Sequence, residues 1–114
     1  MPRDTNSREH DSIEASNIRV FCRMRKPNKS EDSIKYDSTM VDDGENCYSF
    51  DYIFDKNAVQ KELYERIARR HIDDFFMCKN STIFAYGQTG SGKTHTMFGK
   101  LNQPTEYGII PRTL

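Results

Sequence analysis

The chain has 114 residues, a hydrophobic fraction of 35%, and 17 basic side chains exactly offset by 17 acidic ones. Soluble domains carry ~45–50% apolar residues, and a chain of this size buries only about 60–70% of its unfolded surface, so the composition points to one domain at most, of marginal independent stability. No apolar run approaches the ~18–20 residues that span a bilayer, and zero net charge removes any global argument for nucleic-acid binding.

Residues 1–16 are polar and lack a sustained period, which reads as a disordered tail or the stub of a preceding element. No signal-peptide segment follows Met1-Pro2-Arg3, and an intracellular location is expected. Ile18, Val20, Cys22 and Met24 alternate with Arg19, Phe21, Arg23 and Arg25, the two-residue period of a strand, which Pro27 ends. Arg19, Arg23, Arg25, Lys26 and Lys29 make this stretch basic, whereas Glu31, Asp32, Asp37, Asp42, Asp43 and Glu45 make the next one acidic. Residues 28–46 read as loop, with a short edge strand around 33–36. Tyr48, Phe50, Tyr52 and Phe54 fall on one alternation and predict a strand over 48–54.

Asn57 offers an N-cap, with Gln60 three residues on as in a capping box. Val59, Leu63 and Ile67, flanked by Tyr64, Ala68, His71, Ile72 and Phe75, give an amphipathic helix over about 58–77. Lys61, Glu65, Arg66, Arg69 and Arg70 fall on its wet side, and His71 is read as packed. Asp51 and Asp55 are read as structural carboxylates. Cys22, Cys47 and Cys78 are odd in number and widely spaced, which argues against a disulfide framework or a zinc site; Cys22 and Cys78 are expected as core thiols. Residues 82–86 form a short apolar run of the kind found in strands buried on both faces.

Directly after that run, Gly87-Gln88-Thr89-Gly90-Ser91-Gly92-Lys93-Thr94 matches G-x-x-x-x-G-K-[ST], the phosphate-binding P-loop. Glycines let the backbone wrap so that successive N–H groups form an anion nest at the start of a helix. Lys93 is then expected against the β- and γ-phosphates of a nucleotide, and the Thr94 hydroxyl on Mg²⁺. The context agrees, with a strand before the motif and a helix beginning at His95-Thr96-Met97 after it. A small nucleotide kinase is disfavoured because 86 residues precede the motif.

The stretch from Ser81-Thr82-Ile83-Phe84-Ala85-Tyr86 through the P-loop to His95-Thr96-Met97 resembles the P-loop segment of kinesin motor domains. Asn17-Ile18-Arg19-Val20-Phe21-Cys22-Arg23 resembles that family's first strand, Phe50-Asp51-Tyr52-Ile53-Phe54-Asp55 the strand before its first long helix, and Gly108-Ile109-Ile110-Pro111-Arg112 the segment after its fifth loop. The resemblance covers residues 17–114. It implies a P-loop NTPase-type α/β three-layer sandwich, present as its N-terminal portion, and it adds Arg23, Arg25, Pro27 and His95 as adenine-side residues. Lys26 intervenes between Arg25 and Pro27, a departure from the family's Arg-x-Arg-Pro.

Further implications of the resemblance are ATP and Mg²⁺ as ligands, microtubule-stimulated ATP hydrolysis in a complete motor, microtubules (tubulin) as partner, a cytoplasmic, cytoskeletal location, and a dimer formed by a coiled coil outside these residues. The first strand is most similar to the C-terminal-motor class. The family's two switch segments, which position water and sense the γ-phosphate, match nothing in the chain, so no catalytic residue is expected within it and turnover by these residues alone is not. The alternative is a non-catalytic nucleotide- or partner-binding module derived from such a motor.

Overall fold

The computed structural model describes residues 18–26 and 34–114; the expected tail and Pro27 lie outside them. Two small sheets precede the helices. β1 (Phe21–Arg23) pairs in parallel with β5 (Tyr52–Phe54), Cys22 opposite Ile53. β2 (Lys35–Tyr36), β3 (Met40–Asp42) and β4 (Cys47–Ser49) form an antiparallel sheet in that order, with Val41 opposite both Tyr36 and Tyr48.

The aromatic alternation predicted one strand over 48–54, but the structure divides it between the two sheets. Phe50 N–H still donates to the Thr39 carbonyl at 2.8 Å, whereas Asp51 N–H donates to the Val20 carbonyl at 2.9 Å. Asp51 also accepts from Val20 N–H through Oδ2 at 2.6 Å, so this carboxylate clamps the start of the parallel pair. β3 corrects the expected loop over 28–46. It was hidden because only Val41 of its three residues is buried, which leaves no alternation long enough to read.

The long helix runs over residues 60–76: α1 (Gln60–Leu63), a π-helical turn (Tyr64–Ala68) and α2 (Arg69–Phe76). Its extent agrees with the predicted 58–77, but its start does not follow the expected capping box. Val59 is the N-cap, without a side-chain cap bond. Asp55 Oδ1 instead accepts from Asn57 N–H at 2.8 Å, and its carbonyl accepts from Ala58 N–H at 2.9 Å, forming the turn that feeds the helix. Asn57 is therefore inside a turn, and Val59, expected on the apolar face, is exposed. At the other end the chain leaves the helix through Cys78 in a left-handed conformation, φ 62°. That position usually falls to glycine, since a Cβ costs roughly 1 kcal/mol there. Cys78 and Phe75 are exposed rather than in the core, and Cys22 is half-buried, where burial pushes its thiol pKa up.

Residues 82–86 form no ladder among the described residues. Ile83 and Ala85 are half-buried while Phe84 and Tyr86 are exposed, so the run keeps the two-residue period of a strand without a partner. A strand is stabilised by a neighbour that supplies the complementary row of N–H and C=O groups, and no described segment does so here. After the P-loop come α3 (Lys93–Met97), a 3₁₀ turn (Pro104–Glu106) and α4 (Ile109–Thr113).

The core is small. Ile53 and Phe54 of β5, Leu63 and Ala68 of the long helix and Ile109 of α4 are buried, and α4 packs on the π turn. Phe54 is fully buried, with the rings of Tyr52 and Phe21 at 5.0 and 6.0 Å between centroids. Burying such a side chain contributes roughly 1.5–3 kcal/mol. No described helix is long and apolar enough to cross a membrane.

Candidate functional site

The glycine-rich loop turns into α3 at Gly92, the helix N-cap, whose φ of 106° is open to glycine and strained for other residues. Ser91 N–H donates to the Gln88 carbonyl at 3.1 Å, closing the loop, and Thr96 N–H donates to the Gly92 carbonyl at 3.0 Å, opening the helix. Gly87 lies over the Ser91 side chain: a Cβ there would approach Ser91 Oγ to 2.6 Å. The loop encloses an open cavity of about 460 Å³ lined by Thr89, Gly90, Gly92, Lys93, Thr94 and His95. Six of the residues singled out in the sequence thus surround one space.

Gln88, Ser91 and Gly87 shape the loop from outside that lining. Arg25 reaches it from the end of β1, donating through Nη1 to the Gly90 carbonyl at 2.6 Å. Arg23, expected on the adenine side, lies behind α3. Its Nη1 donates to Gln60 Oε1 at 2.8 Å and to Thr96 Oγ1 at 2.9 Å. Burial draws the Arg23 pKa down and the charge of Glu106 opposes that shift, but a guanidinium stays protonated in proteins.

Gln60, Thr96, Gly99, Glu106 and Gly108 were not identified from the sequence as site residues, yet they join the P-loop helix to the rest of the molecule. Gln60 Nε2 donates to the His95 carbonyl at 2.7 Å and to the Glu106 carbonyl at 3.2 Å. Gly108 N–H donates to the Phe98 carbonyl at 2.9 Å, and Gly99 bridges to Tyr107. A Cβ on Gly99 would collide with the Glu106 carbonyl oxygen, and one on Gly108 would come within 2.6 Å of Phe98 N. Arg112 closes the far side, with Nε on the Tyr107 carbonyl at 2.8 Å and Nη2 on the Thr105 carbonyl at 3.0 Å. One signal for Gln60 was available: it shares the helix stripe of Leu63, Tyr64, Ile67 and Ala68, a polar residue on an apolar face.

The donor set suits a phosphate ligand carrying its own metal. An ammonium and a hydroxyl on adjacent residues face a cavity made by glycine backbone. No cluster of three His, Cys, Asp or Glu side chains that could hold a metal occurs among the described residues. Mg²⁺ is commonly held by one or two protein ligands together with phosphate oxygens and waters, and Thr94 can supply a protein oxygen.

Comparison with known proteins gives a consistent picture. The kinesin motor domain family matches residues 2–114. Kinesin-1 heavy chain of Rattus norvegicus is 44% identical over 105 residues, covering 84% of this chain and 11% of the relative. Kinesin heavy chain isoform 5C of Homo sapiens is 43% identical over 110 residues, covering 90% and 11%. The chain therefore spans about a tenth of the length of these relatives. Among solved structures, kinesin 6 superposes with a TM-score of 0.79 at 35% identity over 86% of this chain and 27% of its own. A fast kinesin, studied for its ATPase mechanism and its interactions with microtubules, gives 0.76 at 30% identity over 87% and 31%.

Proposed function

We propose, because the chain belongs to the kinesin motor domain family, that residues 87–95 bind the phosphates of ATP with Mg²⁺ as part of a microtubule motor. The family is one of ATPases with the P-loop NTPase fold. The observation that supports the site is that Thr89, Gly90, Gly92, Lys93, Thr94 and His95 line one shared cavity. Lys93 neutralises the β- and γ-phosphate charge, the Thr94 hydroxyl is the protein ligand of Mg²⁺, and backbone N–H groups of the loop cradle the phosphate oxygens. Mg²⁺, held by Thr94 together with the phosphates, would supply positive charge that offsets the charge of the phosphate groups.

Arg25 holds the loop in shape through the Gly90 carbonyl, and His95, which lines the same cavity, is assigned to the base and ribose by the family pattern. Arg23, which does not line the cavity, and Pro27 are both assigned to that side by the family pattern alone. Hydrolysis needs groups that orient the attacking water, and these belong to switch segments whose patterns do not occur among the 114 residues. Microtubule binding and movement along the filament are assigned to the protein as a whole, in the cytoplasm.

The test is a titration with a fluorescent ADP analogue. Lys93→Ala should weaken binding about 10–100-fold, the loss that corresponds to the ~1.5–3 kcal/mol of a hydrogen bond to a charged group. Unchanged affinity would contradict the assignment.

A further inference from the structure

The helix that follows the P-loop, α3, is five residues long and buries none of them, so apolar packing does little to fix where it sits. Polar contacts hold it instead. The last carbonyls of a helix have no partner within it, and at this end the N–H groups of Phe98 and Gly99 both turn to the Thr94 carbonyl, at 2.8 and 3.2 Å. The His95 carbonyl is met by a side chain from α1: Gln60 Nε2 donates to it at 2.7 Å.

Gln60 is 3% exposed, and a buried amide is tolerated when its hydrogens and oxygen are paired. Its second Nε2 hydrogen goes to the Glu106 carbonyl at 3.2 Å, and Oε1 accepts from Arg23 Nη1 at 2.8 Å. Arg23 Nη1 directs its other hydrogen to Thr96 Oγ1 at 2.9 Å. Two neighbouring residues of α3 are thereby tied to α1 and β1, His95 through its backbone and Thr96 through its side chain. The arrangement has one direction, because half a turn of the amide would set N–H groups against the guanidinium and an oxygen against two carbonyls. Space is limited as well: a Cβ on Gly99 would lie 3.0 Å from Gln60 Nε2.

Lys93 and Thr94, which line the cavity together with His95, immediately precede these ties on the same helix. Less than one helical turn separates Lys93 from Thr96, so a shift of α3 moves the ammonium and the hydroxyl together. We infer that Gln60, Arg23 and Thr96 form a positioning unit that sets α3, and with it Lys93 and Thr94, against β1 and α1. None of the three lines the cavity; they act through the helix. The inference rests on the nucleotide reading above and adds what places its cationic and hydroxyl groups.

The experiment uses the full chain with Mg²⁺ and a fluorescent ADP analogue, displaced by ADP or by inorganic tripolyphosphate, which keeps the phosphates and lacks base and ribose. Each titration yields a dissociation constant and the fraction of molecules that bind, at a temperature where a denaturant melt shows the variant folded. Gln60→Leu should raise the constants for ADP and tripolyphosphate alike, about tenfold, with the binding fraction intact. Thr96→Val removes one acceptor of Arg23 and should raise both about threefold; it serves if Gln60→Leu does not fold. Thr96→Ser keeps the hydroxyl and should restore both.

A lowered binding fraction at unchanged dissociation constants would make the unit merely structural and overturn the inference, as would a Thr96→Ser variant no better than Thr96→Val. A loss confined to ADP would also overturn it, since the residues would then act on base and ribose and not through the helix. Lys93→Ala is the control that separates the two levels. If it weakens both competitors while Gln60→Leu and Thr96→Val weaken neither, the inference alone fails. If Lys93→Ala changes neither, the nucleotide reading fails and the inference falls with it.

Discussion

The β2–β3–β4 sheet is held at its turns by exposed carboxylates, whereas the joint between β1, α1, α3 and residues 98–108 is held by a buried amide and by backbone contacts too close for a Cβ. In the sheet, Asp37 Oδ1 accepts from Thr39 and Met40 N–H, each at 2.8 Å, and Asp43 Oδ1 accepts from Asn46 and Glu45 N–H at 2.7 and 2.9 Å. Val41 is its one buried apolar residue. In the joint, a Cβ on Gly99 would overlap the backbone of Glu106 and Gly108 and crowd Gln60 Nε2, and one on Gly108 would overlap the backbone of Met97 and Phe98. The first arrangement follows solvent conditions; the second depends on shape and tolerates little change in volume. The candidate site belongs to the second.

The largest effect is expected where the joint meets the core. Phe54→Ala removes a fully buried ring between Phe21 and Tyr52 and should cost about 3–5 kcal/mol in denaturant unfolding. A loss under 1 kcal/mol would mean that β5 does not organise this half. Gly99→Ala should follow at about 2 kcal/mol or more, since it adds both a positive-φ penalty and a collision with the Glu106 carbonyl. If it is neutral by the same measurement, the close approach of residues 98–108 to α3 is wrong.

Acid distinguishes the two regions without mutation. The backbone N–H groups of Thr39 and Met40 hold the Asp37 carboxyl below the usual range, those of Asn46 and Glu45 do the same for Asp43, and Asn57 N–H with the Tyr36 hydroxyl for Asp55. Each folded-state pKa lies below its unfolded value, so the unfolded chain binds more protons as pH falls. The stabilisation is complete above the unfolded value of ~3.9 and is lost as pH drops through the depressed folded values. Melting curves between neutral pH and strong acid should show this loss, and Asp37→Asn should flatten it. The smallest effect is expected outside both regions. Arg69→Ala removes an exposed i,i+4 pair with Glu65 at 3.1 Å and should change stability by only about 0.3–0.5 kcal/mol.

Local signals were legible in the sequence and long-range ones were not. The P-loop, its helix and the span of the long helix follow from glycine spacing and a 3.6-residue period, and these place Lys93, Thr94 and His95 around one cavity. The capping role read for Asn57 failed because Asp55, two residues earlier, takes the Asn57 N–H for a turn. The aromatic strand was divided because periodicity reports which side chains share a face and not which sheet the backbone joins. Arg23 illustrates the limit best: its partners Gln60 and Thr96 lie 37 and 73 residues away, a distance over which no local pattern carries information.

Amide hydrogen exchange with and without Mg²⁺ and ADP tests the central claim most directly. Added nucleotide should slow exchange across residues 87–108, the P-loop, α3 and the segment packed on it, and leave residues 35–49 of the antiparallel sheet unchanged. Protection that appears in the sheet but not in residues 87–97, or in neither, would contradict the account.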